Sequence, residues 1–71
     1  MNVEVFKTNV GDPEQARLLI DQIQQSFTGY IVNFDLEDCD KILRVKCATE
    51  LIQSAPLIKL LNDFGFEAEV L

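Results

Sequence analysis

The chain has 71 residues, 48% of them apolar, with 12 acidic side chains against 6 basic ones, a net charge of -6 and no histidine. A chain of this length is expected to make one domain, residues 1–71, with a thin core, since only about 60% of the unfolded surface is buried at this size. The charge opposes a phosphate backbone, the missing histidine removes the usual general base and the commonest metal ligand, and no apolar run reaches the roughly 18 residues of a membrane span.

Asn2 to Thr8, NVEVFKT, is rich in β-branched and aromatic residues with partial alternation, and predicts a strand. Val10-Gly11-Asp12 then turns the chain, with Asp12 as the expected N-cap, Pro13 at the first helical position and Glu14 where a carboxylate favours the helix dipole. Ala16, Leu19, Ile20, Ile23 and Phe27 recur at helical spacing, with Arg17, Asp21, Gln22, Gln24 and Gln25 on the wet side, and Thr28-Gly29 stops this helix. Tyr30, Val32, Phe34 and Leu36 alternate with Ile31, Asn33, Asp35 and Glu37, the pattern of a half-buried strand.

Glu37-Asp38-Cys39-Asp40 reads as an acidic turn and Lys41 to Cys47 as the returning strand of a hairpin. A second helix is expected over Ser54–Phe64, with Pro56 in its first turn, Leu57, Ile58, Leu61 and Phe64 inward, and Gly65 as its stop. Phe66 to Leu71 alternates again as the last strand. The order βαββαβ predicts an α+β fold, the ferredoxin-like sandwich: a four-stranded antiparallel sheet with two helices on one face.

Cys39 and Cys47 are expected at opposite ends of a strand, about 15 Å or more apart, whereas a disulfide needs α-carbons within about 7 Å. Cys47 reads as a buried small hydrophobe and Cys39 as a loop thiol of a reducing compartment. Glu4 sits where a signal peptide would need a basic and then apolar start, so a cytoplasmic location is the expectation. Lys41, Arg44 and Lys46 come nearest to a basic patch, and read as a solvated strand face balancing nearby acids; no nucleic-acid partner is expected. Asp35, Glu37, Asp38 and Asp40 read as charges that keep a hairpin end from pairing with other chains.

FKTNV before the first helix, DLEDCDKILRVKC through the hairpin and the ending LLNDFGFEAEVL together resemble the heavy-metal-associated domains, small copper-chaperone-like modules. The similarity covers nearly the whole chain; the KTNV lead-in and the DKIL opening of the third strand look like a bacterial subgroup of that family. In that family the turn after the first strand contains CxxC, whose thiolates hold Cu(I), Zn(II) or related soft ions. The resemblance places the first cysteine on Asp12 and the second on Gln15, so both ligands are missing. A carboxylate and an amide suit hard ions, and calcium wants roughly six to eight oxygens, more than this turn offers.

The implied function is a small, non-catalytic interaction module on a metallochaperone-like scaffold with a degenerate metal site. It would have no cofactor and no membrane partner, and would be a monomer or weak homodimer that docks a protein through an edge strand or the loop before the first helix. Candidate interaction residues are Asp12, Pro13, Glu14 and Gln15 in the turn, with Phe6 and the outward-facing Ile31. Two other readings stand beside it: a copper or zinc accessory protein that binds weakly through Cys39, and a regulatory domain for a small ligand. Acyl-phosphate hydrolysis, known on the same sandwich, is excluded because the loop carries Asp12 and Glu14 and has no arginine before Arg17.

Overall fold

The computed structural model describes residues 1–71. Its elements run β1 (Asn2–Thr8), α1 (Pro13–Ser26), β2 (Tyr30–Asp35), β3 (Ile42–Cys47), α2 (Ser54–Asp63) and β4 (Ala68–Val70). The strands form one sheet in the order β2-β3-β1-β4. Because β1 and β2 both pair antiparallel with β3, α1 carries the chain from β1 to a strand that runs parallel to it, and β3 fills the gap. The second unit does the same around β1, which pairs antiparallel with β3 and β4. The result is the ferredoxin-like βαββαβ sandwich.

Side-chain alternation decides which face each residue occupies. Phe6, Tyr30, Val32, Leu43, Val45 and Cys47 point to the helices and join Ala16, Leu19, Ile23, Leu57 and Leu61 in one buried cluster, closed at one end by Val10. The opposite face of the sheet has no covering layer; Val3 and Ile31 on it are 50% and 58% exposed. α1 packs chiefly on β2, α2 on β4, and the helices touch each other.

Several boundaries differ from those read in the sequence: α1 ends at Ser26 with Phe27 as its C-cap, and β2 ends at Asp35, short of Leu36. Lys41 stands outside β3 with φ 48°, a left-handed residue that closes the hairpin turn. β4 keeps only Ala68–Val70 of the expected Phe66–Leu71. Phe64, expected inward, is 51% exposed, while Phe66 packs against the core. The helix end explains the exchange: the Phe66 amide donates to Leu61 O at 2.9 Å and the Gly65 amide to Asn62 O at 2.9 Å, the paired bonds of a Schellman motif. With Gly65 at φ 90° the chain reverses, turning Phe64 out and bringing Phe66 back over Leu61.

α2 begins without a side-chain cap of its own, since Gln53 at the N-cap makes no such bond. Its first amide is held from across the fold, where the Tyr30 hydroxyl accepts from Gln53 N at 3.0 Å. The Tyr30 ring also stacks on Phe27 with centroids 5.1 Å apart, so one side chain at the start of β2 joins the end of α1 to the start of α2.

Candidate functional site

The turn between β1 and α1 is built by its first three residues. Thr8 is buried; its hydroxyl donates to Lys41 O at 2.6 Å and accepts from Val10 N at 3.2 Å, and its amide donates to Asp40 O at 3.0 Å. Asn9 clasps the approach to β4: its Oδ1 accepts from Glu67 N at 2.8 Å and its amide donates to Glu67 O at 3.3 Å. Val10 is fully buried and drives the turn into the core. The TNV of the lead-in is therefore the anchor of the turn.

Beyond Val10 the turn is free of the core. Asp12, Pro13, Glu14 and Gln15 are all exposed. Asp12 has extended dihedrals, φ -106° and ψ 125°, and its Oδ1 accepts from Glu14 N at 2.9 Å, so the carboxylate caps the helix as expected. Its carbonyl accepts the first helical bond from Ala16 N at 2.9 Å. The two positions implied as metal ligands thus lie in one exposed first turn as oxygen donors, one of them already engaged. Phe6 does not join them: it is 0% exposed, at the centre of the sheet's helix-facing side, because its parity along β1 matches that of buried Thr8.

The hairpin turn lies at the same end of the sheet, tied to β1 through the bonds from Thr8 to Asp40 and Lys41. Asp38, Cys39 and Asp40 bring a carboxylate oxygen, a thiol and a second carboxylate within 4.8 Å of one another. Two of the three are already used: Asp38 Oδ1 accepts from Asp40 N at 2.8 Å, and Asp40 lies 3.9 Å from the Lys7 ammonium. One thiol with two carboxylates mixes the preferences of soft and hard ions. Cys47 is remote from this end, paired across the sheet with Asn2 and Tyr30, and both cysteines are free. Backbone amides of Thr49 and Glu50 hold the Cys47 thiol below its ordinary pKa, against the opposing effect of burial.

A shallow groove of about 330 Å³ runs between the end of β1 and β4, lined by Lys7, Thr8, Asn9, Glu67, Ala68 and Glu69. Ala68 is its one apolar wall, whereas small-molecule sites are lined mostly by apolar side chains. No helix is long and apolar enough to cross a membrane. Sequence reasoning missed two features of these ends, the Tyr30 hydroxyl bond to α2 and the docking of the hairpin turn on Thr8. Both join residues far apart in the chain, and no local pattern signals them.

No protein-family model matches the chain, and no curated protein matches it. Among solved structures it is similar to a copper binding domain from HMA7, a P-type ATPase, with a TM-score of 0.71 over 100% of this chain and 95% of that one. Identity between the two is 17%, so the likeness is one of fold: the chain is built on the βαββαβ sandwich of that copper binding domain.

Proposed function

We propose that this protein is a non-catalytic interaction module on a metallochaperone-like scaffold whose metal-binding turn has exchanged its donors for a helix cap. The observation that carries the reading is the Asp12 carboxylate, which meets Glu14 N at 2.9 Å in a turn that contains no thiol. A soft cation selects thiolate sulfur, and both thiols of the chain lie elsewhere, one in the hairpin turn and one in the core. Free cysteines fit a reducing compartment and hence the cytoplasm. Catalysis lacks a histidine anywhere in the chain and an arginine in the turn. The exposed Asp12–Gln15 segment and the uncovered sheet face with Ile31 are the surfaces such a module offers to a protein partner.

Titration of isotope-labelled protein with Cu(I), Zn(II) and Ca(II), followed by NMR, tests this. The amides of residues 9–16 should stay unshifted at micromolar metal. A nanomolar complex with shifts confined to that segment would overturn the proposal. A thiol-dependent complex that vanishes in Cys39→Ser would instead favour the accessory-metal reading, for which the 4.8 Å cluster of Asp38, Cys39 and Asp40 is the supporting observation.

A further inference from the structure

The uncovered face of the sheet has a charge pattern unlike the rest of the molecule. Strand register places Ile31, Lys46 and Val3 in one row across it, and Asn33, Arg44 and Val5 in the next. The Leu71 amide, bonded to Val5 O at 2.9 Å, carries the second row on to another aliphatic residue. These rows hold two cations and no acid, in a chain with twice as many acids as bases. The acids of this face, Asp35 and Glu69, lie in the third row, against Ile42 and Lys7.

Neither Arg44 nor Lys46 forms an ion pair; the two pairs present are Lys7–Asp40 and Lys59–Asp63. The acids of the same face, Asp35 and Glu69, stand in the adjacent row and make no direct ion pair with either cation. Both are half-buried, with aliphatic stems flanked by Val3, Val5 and Ile31 and charged heads free to meet a ligand.

The geometry points to this face as a docking surface for an acidic, aliphatic segment of a partner protein. It deepens the interaction-module reading, on which it rests for the premise that the chain works by docking. Arg44 and Lys46 are two residues apart on one strand, so their Cα atoms sit about 7 Å apart on one face, and their flexible side chains can reach carboxylates one helical turn apart. Leucines beside those carboxylates would cover Val3 and Ile31. A second copy is a poorer occupant of the two acid-free rows, because a two-fold axis through them sets the Arg44 and Lys46 cations of one chain against those of the other. A long nucleic acid is poor as well, because the chain's net charge of -6 repels it once the two cations are engaged.

The probe is a short capped helical peptide with glutamates one turn apart and leucines on the same face. It is titrated into labelled full-length protein beside a lysine-for-glutamate version and a single-stranded oligonucleotide. The acidic peptide should shift Val3, Val5, Ile31, Arg44, Lys46 and Leu71, bind at least about tenfold more weakly to Arg44→Glu/Lys46→Glu, and weaken as ionic strength rises toward 0.5 M. The milder Arg44→Gln/Lys46→Gln, checked for wild-type spectral dispersion, serves if charge reversal unfolds the chain.

The inference is overturned by a silent face at millimolar peptide, by shifts that map to α1 or the turn, by indifference to the charge variants, or by tighter binding of the oligonucleotide. Metal binding at residues 9–16 would refute the proposed function and leave this map untouched. A silent face would refute this map and leave the metal-free turn standing.

Discussion

Replacing Asp12 by alanine removes the side chain that holds the first turn of α1 and nothing that touches the core. The residue is exposed, and its one side-chain bond is the 2.9 Å acceptance from Glu14 N. Loss of such a cap costs about 1 kcal/mol, and loss of a carboxylate at a helix N-terminus removes a further 0.3–1 kcal/mol or so at low salt. For a domain of this size each kcal/mol lowers Tm by roughly 4–8 °C. Asp12→Ala should therefore melt about 5–16 °C below the wild type, combining those ranges. Asp12→Asn keeps the acceptor and gives up only the charge, so it should lose less than half as much. Thermal and urea unfolding followed by far-UV circular dichroism measure both, and unchanged m-values would place the effect in the folded state. An alanine variant as stable as the wild type would refute the reasoning, because the carboxylate would then be free for a ligand instead of committed to the helix.

Placing sulfur in the turn with Asp12→Cys/Gln15→Cys should create a Cu(I) site detectable against a competing chelator where the wild type shows none; an inert double variant would mean that more than donor identity keeps this turn from holding a soft ion. Tyr30→Phe keeps the stack on Phe27 but strands the Gln53 amide, and should cost about 1 kcal/mol in urea unfolding. Phe66→Ala should cost roughly 1–2 kcal/mol and Phe64→Ala less than about 0.5 kcal/mol, the reverse of the order that helical periodicity alone would give. A thiol reagent should label exposed Cys39 at once and buried Cys47 only as fast as the native state opens, which timed mass spectrometry of the native and urea-unfolded protein would resolve.

The sandwich was legible in the sequence because each element carries its own period and stop. Asp12-Pro13 opens α1, Gly65 closes α2, and the alternation from Tyr30 onward marks β2. The errors arise where a local period meets a constraint from elsewhere. Phe64 continues the apolar stripe of α2, yet the left-handed Gly65 has already ended the helix. Lys41 continues the charge pattern of β3, yet it serves the turn, its amide donating to Asp38 O at 3.0 Å. Phe6 looked like a surface aromatic because partial alternation in NVEVFKT leaves its parity open; pairing with Leu43 on one side and Val70 on the other fixes it inward. Exposure of Asp12–Gln15 and of Ile31 agrees with the sequence, whereas the surroundings of Arg44 and Lys46 required the register of β3 against both of its neighbours, β2 and β1.

On the proposed reading, the turn also accounts for how a scaffold of this kind could do without metal ligands. Thr8, Asn9 and Val10 fix where the chain leaves β1, through two hydroxyl bonds, a clasp on Glu67 and a buried isopropyl group. Asp12 to Gln15 contribute nothing to the core, so the residues that set the backbone and those that would face a metal are separate sets. A change of donor atoms at Asp12 and Gln15 therefore leaves the path of the chain intact, and a carboxylate at the first of them even supplies a helix cap. Soft-metal chemistry can disappear from this turn while the fold, the edges of its sheet and its uncovered face persist unaltered. What remains is surface, and the rows around Arg44 and Lys46 hold two cations and no acid in a chain of net charge -6.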